Sequence, residues 1–308
     1  MLPDECLRHF GLSADPFEMP YQGEDFWPHP QMSVVAGLVD KTIKRAGFLL
    51  VKGPSGCGKT AITRYAIGSL VGDPRRGIPH SRQYHVARLL TLRRRTATGC
   101  ALPRALIRDF APGVRPRSSA EDLVDQVASM IAKKYQAGEN CAVVIEEAHE
   151  LAPELWLDLK KLREITADAG GGLGVICVGQ SEGHPNLDET LDQPDLVSVR
   201  RRILVYEISP LSGSQARKYI DHRLARAGAR VGAILPEAVD FLLKALAPGG
   251  RGASGMALYP ALLDTWLTRA MVEAWDKGSR TVGRSIMSYC LATGAETAEK
   301  TESGEVTE

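Results

Sequence analysis

The stretch FLLVKGPSGCGKT, residues 48–60, decides the fold. Its first six residues form an apolar run of the kind that a buried parallel strand requires. The remaining residues complete the phosphate-binding pattern GxxxxGK[ST], and the helix-like run ITRYAIGSL follows at 62–70. A strand, a glycine-rich loop and a helix in this order aim backbone N–H groups and the positive end of a helix at one point. We therefore predict a nucleotide-phosphate site formed by Gly53, Pro54, Ser55, Gly56, Cys57, Gly58, Lys59 and Thr60.

Two side chains of this loop have separate tasks. Lys59 is long enough to reach the β- and γ-phosphates of a bound nucleotide, and the hydroxyl of Thr60 can hold Mg²⁺. A chance glycine-rich turn is the alternative interpretation, but the motif, the strand before it and the helix after it all agree.

The composition of the 308-residue chain is that of a globular protein. Its 44% hydrophobic and 24% charged residues exclude disorder of the whole chain, and its formal charge of +1 excludes a uniformly basic coat protein. The six cysteines show neither CxxC nor Cys/His spacing, so neither a zinc site nor a disulfide framework is indicated. The sequence has no secretory leader pattern and no apolar run of about 18 residues. We therefore expect a cytoplasmic protein without a membrane segment.

Apolar runs alternate with helical patterns beyond the loop. The run CAVVIEEAH at 141–149 follows a segment of helical period, and LGVICVGQ at 173–180 follows a predicted helix at Pro153–Asp168. This alternation predicts the α/β class, with a three-layer parallel sheet covered by helices on both faces. We expect an N-terminal strap and helix at 1–45, a nucleotide-binding domain at 46–208 with a basic insertion at 73–117, an all-helical domain at 209–290 and a disordered acidic tail at 291–308.

Two acidic residues, Glu146 and Glu147, end the second apolar run. Ligands bind at the carboxyl ends of the strands in open α/β sheets, so acids at this position accompany a phosphate loop. We assign Glu146 to Mg²⁺ and its waters and Glu147 to the attacking water. A strand end that only meets solvent is the alternative. The metal-orienting acid is usually Asp, and Glu146 is one methylene longer.

Further polar residues lie at the ends of later apolar runs. Gln180 ends the third run and is expected beside the loop strand, where its amide can contact the γ-phosphate; a polar strand end without function is the alternative. Three arginines, 200–202, precede the strand-like run ILVYEI. They are either a solvated basic turn or a source of an arginine for the γ-phosphate of a neighbouring subunit.

A strongly basic segment, residues 73–117, separates the loop helix from the acidic strand. It contains eleven arginines and two aspartates, a net charge of +9. Arginines in this density suit contacts to nucleic-acid phosphates, and the scarcity of aromatic residues favours duplex over single-stranded DNA. The candidate DNA contacts are Arg88, Arg93, Arg94, Arg95 and Arg104. A solvated basic surface is the alternative.

Residues 5–270 together resemble the AAA+ ATPases of the ExeA type and the transposition ATPases TnsC, TniB and MuB. The resemblance depends on the order and spacing of HFGLSADPF at 9–17, FW at 26–27, GPSGCGKT at 53–60, VVIEEAHELAPELWLDLKKL from 143, VGQSE at 178–182, PDLVSVRRRILVYEISPLS at 194–212 and YIDHRLARAG at 219–228. It implies ATP as the nucleotide, with Mg²⁺, and a lid formed by the helical domain. It also implies that Gln180 is the sensor and that Arg202 or Arg200 is the arginine finger. Leu258 stands where such a lid often supplies an arginine.

Members of this family differ in function. Secretion ATPases of the ExeA type are expected to carry a transmembrane helix and a peptidoglycan-binding region, and neither pattern occurs in the sequence. The basic segment favours a regulator of DNA transposition that assembles on duplex DNA as a ring or filament, recruits a transposase, and is disassembled by ATP hydrolysis. A target-selector protein is a further expected partner. The alternatives are a secretion or envelope-assembly ATPase and a nucleotide-switched scaffold with little turnover.

Overall fold

The computed structural model describes residues 1–18, 27–73, 78–90, 100–182, 187–247 and 257–302, with side chains except at Leu90 and 294–302. The chain divides into two compact units. We call His29–Ile208 the sheet unit, and Met1–Pro28 with Ser209–Glu308 the helical unit.

The strands are β1 (Phe48–Gly53), β2 (Tyr84–Leu90), β3 (Asn140–Glu146), β4 (Leu173–Gln180) and β5 (Leu204–Glu207). The helices are α1 (Asp4–Phe10), α2 (Met32–Lys44), α3 (Lys59–Val71), α4 (Ala101–Phe110), α5 (Ala120–Gln136), α6 (Pro153–Asp168), α7 (Leu187–Leu191), α8 (Val197–Arg200), α9 (Gly213–Arg226), α10 (Pro236–Leu246), α11 (Pro260–Asp276) and α12 (Arg284–Glu302).

The sheet unit is built around a five-stranded parallel sheet in the order β2-β3-β4-β1-β5. Its central strands are buried on both faces, which is why β1, β3 and β4 read as continuous apolar runs. Helices α2 and α3 pack on one face and α4, α5 and α6 on the other. The predicted α/β class with a three-layer parallel sheet is confirmed.

The two faces are packed by different means. On the α6 face, Trp156 is fully buried and its ring stacks on Phe48 of β1 with the centroids 6.1 Å apart. On the other face, Gly174 of β4 lets the backbone of α2 approach closely: a Cβ at this position would lie 2.9 Å from the carbonyl oxygen of Thr42. Such approaches fix the sheet against its helices.

The sequence suggested that the basic segment at 73–117 is an insertion outside the sheet. The structure shows instead that it contributes a strand and a helix to the sheet unit. Residues 84–90 form the edge strand β2, which pairs with β3 along its whole length. Helix α4 turns Leu106, Ile107 and Phe110 into the core of the sheet unit. Arg88 of β2 and Arg104 and Arg108 of α4 are exposed, so neither element shows the continuous apolar pattern of a buried one.

The helical unit joins the N-terminal segment to α9–α12, so the expected separate strap at 1–45 is divided between the two units. Its core includes Phe10 of α1 and Leu242 of α10. The buried guanidinium of Arg223 in α9 donates to the carbonyl oxygens of Pro16 and Glu18, which anchors the segment that precedes the sheet unit. This long-range contact has no local signature in the sequence.

The expected disordered tail at 291–308 begins inside a helix. Helix α12 continues from Arg284 to Glu302, because Ala, Glu and Lys in this stretch are strong helix formers. Within the part of the chain that the structure describes, no helix combines the length and the apolar composition needed to cross a lipid bilayer.

Candidate functional site

The carboxyl ends of three neighbouring strands gather the predicted site residues. Gly53 ends β1, Gln180 ends β4 and Glu146 ends β3. Strand β4 lies between the other two, and Gln180 is the register partner of Gly53. The expectation that Gln180 lies beside the loop strand is confirmed. Parallel strands bring their carboxyl ends to one edge, so the loop, the amide and the acid share that edge of the sheet.

The glycines of the loop take conformations that other residues avoid. Gly56 and Gly58 have φ angles of 74° and 96°, in the left-handed region. Gly58 immediately precedes α3, whose first residues are Lys59 and Thr60. The first N–H groups of a helix have no acceptor within the helix, so they point out of its end toward the loop. This arrangement fits the phosphates of a nucleotide.

Lys59 is buried in the loop itself, with 8% of its surface exposed. Its ammonium donates to the carbonyl oxygens of Gly53 at 2.9 Å and Pro54 at 2.7 Å. These contacts hold the side chain across the loop, where an arriving phosphate would exchange for the carbonyl oxygens. Loop residue Cys57 is fully buried, and burial raises the pKa of its thiol.

Glu146 is bound by an arginine that the sequence analysis missed. Arg64 of α3 donates from Nε and Nη2 to the two carboxylate oxygens of Glu146, at 2.9 and 2.7 Å. The glutamate is buried, with 8% of its side chain exposed, whereas 48% of the arginine is exposed. Thr60 lies one helical turn before Arg64, so residues at this spacing share a face of α3. The hydroxyl of Thr60 and the carboxylate of Glu146 are oxygen donors of the kind that Mg²⁺ prefers, and the carboxylate is held by Arg64 in this structure.

Glu147 has an unusual backbone. Its φ and ψ of 55° and 42° are left-handed, which directs the chain out of β3 into a 3-10 turn at Ala148–Glu150. Its carboxylate lies 3.6 Å from Nδ1 of His149, and about half of the side chain is exposed (49%). That same nitrogen accepts a 3.4 Å hydrogen bond from the backbone N–H of Gln180. His149, which the sequence analysis also missed, thus bridges the ends of β3 and β4.

The arginines predicted as fingers, Arg200 at the end of α8 and Arg202 just after it, are engaged within their own chain. Arg200 pairs with Asp192. Arg202 lies 3.2 Å from Glu164 of α6 and donates to the carbonyl oxygen of Ser198 at 2.9 Å. Both side chains nevertheless remain substantially exposed.

The candidate DNA contacts are divided by position. Arg88 on β2 and Arg104 on α4 are exposed, whereas Arg93, Arg94 and Arg95 lie outside the described residues. Desolvation lowers the pKa of Arg88, and the nearby charge of Arg64 lowers it further. Arg88 thus lies within electrostatic range of both Arg64 and Glu146.

A five-stranded parallel sheet with this strand order, a phosphate loop after β1 and a helical unit after β5 define the AAA+ class of P-loop NTPase fold. Residues 41–187, from α2 to the first residue of α7, match the family model described as AAA domain.

The relatives of this chain are distant. The general secretion pathway protein A of Aeromonas hydrophila is 26% identical over 277 residues, 89% of this chain and 46% of the relative. The chain thus spans less than half of that relative's length.

Similar solved structures include the Aeropyrum pernix ORC2 protein in ADPNP–ADP complexes, with 12% identity, a TM-score of 0.62, and coverage of 91% of this chain and 71% of the other. Cdc6p from Pyrobaculum aerophilum has 16% identity, a TM-score of 0.62, and coverage of 88% and 69%. The Aeropyrum pernix ORC1 protein in complex with DNA has 18% identity, a TM-score of 0.56, and coverage of 90% and 68%.

Proposed function

We propose that this protein binds ATP with Mg²⁺ and hydrolyses it slowly. The observation that carries the proposal is the gathering of the phosphate loop, Glu146 and Gln180 at one sheet edge. Lys59 and the loop N–H groups would hold the phosphates, and Thr60 with Glu146 the Mg²⁺ and its waters. Hydrolysis itself needs an oriented water molecule, which Glu147 would activate. Gln180 would sense the γ-phosphate. The nucleotide complexes of the Aeropyrum pernix ORC2 protein support ATP as the ligand.

Replacing Glu147 by Gln tests this assignment. The variant keeps the side chain's size and loses the base, so we expect unchanged ATP affinity and turnover lower by about 100-fold or more. Phosphate release and fluorescent-nucleotide binding are measured on the same preparations. Lys59→Ala is the matched control for binding and should lose nucleotide affinity. Equal turnover in wild type and Glu147→Gln would refute the role of Glu147.

We also propose that the protein binds duplex DNA without sequence preference through arginines of the basic segment. The net charge of +9 in 73–117 and the exposure of Arg88 and Arg104 support this proposal. So does the likeness to the Aeropyrum pernix ORC1 protein, which was solved in complex with DNA. Phosphate contacts release counterions, so affinity should fall steeply with salt.

The test is binding to random-sequence duplex with ATP, ADP or no nucleotide across a salt series, with electron microscopy of the same samples. We expect ATP-dependent binding with rings or filaments. Reversing Arg93, Arg94 and Arg95 to Glu should abolish binding and leave ATP affinity unchanged. The control reverses the charge of three exposed basic residues at the end of α2, shortly before β1 begins. These residues are Lys41, Lys44 and Arg45. Absence of DNA binding under every nucleotide condition would refute the proposal.

We propose that assembly completes the catalytic site, with Arg202 or Arg200 acting on the ATP of a neighbouring subunit. The exposure of both side chains supports this role. Mixing two inactive variants tests it: Glu147→Gln keeps the arginines, and Arg200→Ala/Arg202→Ala keeps the glutamate. Recovery of turnover in the mixture is expected only if each subunit contributes to its neighbour's site. No recovery in assembled mixtures would contradict a shared site.

The specific biological role that we propose is regulation of DNA transposition, with recruitment of a transposase and of a target-selector protein. The order of motifs and the basic segment support it. Glu147→Gln should then trap the DNA-bound polymer, because ATP hydrolysis is what disassembles it. The test is the lifetime of the polymer on DNA after free ATP is removed. Equal lifetimes for wild type and variant would contradict disassembly by hydrolysis.

Two alternatives have observations in their favour. The relationship to the Aeromonas hydrophila secretion protein favours an envelope-assembly ATPase, which predicts hydrolysis without stimulation by DNA. The occupation of Glu146 by Arg64 favours a nucleotide-switched scaffold with little turnover, in which Glu147→Gln changes almost nothing.

A further inference from the structure

The buried carboxylate of Glu146 is neutralised within the chain. Both of its oxygens accept hydrogen bonds from the guanidinium of Arg64 in the two-pronged geometry that is strongest for an arginine and a carboxylate. The contact joins residues 82 positions apart, one on the loop helix and one at the end of β3. It is therefore a tertiary clamp across the edge where nucleotide is expected.

The position of this clamp matters for the metal. Arg64 lies one helical turn after Thr60, so both side chains project from the same face of α3. An arginine keeps its charge at all working pH values, so the cation at Glu146 can leave only by movement of the side chain. Arg64 is half exposed, which gives it room to move into solvent. Arg88, on the adjacent strand, adds a second positive charge near the same carboxylate.

We propose that Arg64 is a positioning residue that competes with Mg²⁺ for Glu146 and weakens metal binding by the ATP complex. The proposal rests on the function proposed above, because it requires nucleotide at the loop. In the absence of metal, Arg64 holds the carboxylate. When Mg²⁺ arrives with the nucleotide, the guanidinium gives up at least one oxygen and turns toward solvent. Arg64 thereby sets the magnesium concentration at which the carboxylate of Glu146 exchanges the guanidinium for Mg²⁺.

Magnesium titration of nucleotide binding tests the proposal without using turnover. The affinity for a fluorescent ATP analogue is measured in EDTA and at increasing Mg²⁺ for wild type, Arg64→Gln and Arg64→Lys. We expect Arg64→Gln to lower the Mg²⁺ concentration for half-maximal effect about tenfold, because a unit charge a few ångströms away is removed. Arg64→Lys keeps the charge and loses the two-pronged hydrogen bonding. Its Mg²⁺ concentration for half-maximal effect should therefore lie between those of wild type and Arg64→Gln. Arg217→Gln, which removes an arginine paired with Asp240 in the helical unit, should behave as wild type.

The outcomes separate the two proposals. If wild type binds the nucleotide and Arg64→Gln leaves the magnesium midpoint unchanged or raises it, Arg64 is not a competitor. The proposal is also overturned if Arg64→Gln raises the affinity for the ATP analogue as much in EDTA as it does in Mg²⁺, because the effect then does not involve metal. If wild type binds no nucleotide with or without Mg²⁺, the proposed function fails and this inference fails with it.

The folded state supplies a second readout. Removing Arg64 takes a two-pronged hydrogen-bond partner away from a buried carboxylate, so the metal-free melting temperature should fall. The double variant Arg64→Gln/Glu146→Gln removes both partners and should recover part of that loss. Strictly additive effects of the two substitutions would show that the ion pair is not formed in solution.

Discussion

Glu147 combines a proposed catalytic role with a strained backbone, and the two can be separated by substitution. Its φ of 55° is one of two positive values among the non-glycine residues described, the other being 48° at Ala46. The left-handed conformation costs an L-residue about 1–2 kcal/mol. Glycine has no such cost, but it loses about 0.4–1 kcal/mol more chain entropy on folding. We therefore expect Glu147→Gly to unfold with a free energy about 0.5–1 kcal/mol larger than that of Glu147→Ala.

Both variants lose the carboxylate and its contact with His149, so the comparison between them isolates the backbone. Their turnover should be equally low, about 100-fold or more below wild type. Urea unfolding of the nucleotide-free proteins, followed by circular dichroism, gives the free-energy difference. Ala46→Gly is the matched control, because it changes the other positive-φ residue, between α2 and β1, and should leave turnover unchanged.

The result that would refute this reasoning is a Glu147→Gly variant no more stable than Glu147→Ala. The turn after β3 would then not be strained, and the position would need no special explanation. The expected result, lost activity with gained stability, would instead identify strain that is retained because it directs the carboxylate at the site.

Three further predictions concern packing, protonation and ligand binding. Gly174→Ala should lower the free energy of unfolding by about 2 kcal/mol or more, because the added methyl group meets the backbone of α2. Gly37→Ala on α2 faces open space and should raise the free energy of unfolding by about 0.5–1 kcal/mol. Urea titrations measure both changes. Burial raises the pKa of Asp264 to about 7, so the folded state retains a proton that the unfolded chain releases near pH 4. Stability should therefore fall as pH rises from about 4 to about 7, and Asp264→Asn should flatten that dependence in thermal melts at a series of pH values. Lys59→Ala should abolish the rise in melting temperature that ATP causes in wild type, and a rise of equal size would exclude Lys59 from phosphate binding.

The elements that sequence predicted well are those with a local physical cause. The runs FLLVKG and LGVICVGQ coincide with β1 and β4, and the helix Pro153–Asp168 coincides with α6. Strands buried on both faces must be apolar throughout, and a proline at the first helical position marks where a helix begins. The phosphate loop is equally local, since its function depends on eight consecutive residues.

Other elements were hidden because their pattern depends on distant neighbours. Strand β2 reads YHVARLL, and its histidine and arginine are tolerated only because it is the edge of the sheet. The Arg64–Glu146 pair joins residues 82 positions apart, so no sequence spacing indicates it. His149 lies only two residues after Glu147, yet its contact with the N–H of Gln180 depends on the left-handed turn and on the neighbouring strand.

The position of β2 within the basic segment suggests a direct connection between the proposed DNA binding and the proposed nucleotide site. If the segment were an insertion, contacts to DNA would lie outside the sheet and would need a separate route to the site. Instead β2 pairs with β3 in a register that ends at Leu90 and Glu146, so the strand that carries Arg88 is hydrogen-bonded to the strand that carries Glu146, the acid proposed to orient Mg²⁺. A DNA phosphate that pairs with Arg88 would change the electrostatic surroundings of Glu146 directly. Because coupling between two ligands is reciprocal, Mg²⁺ and nucleotide at Glu146 would then influence DNA affinity through the same pair of strands.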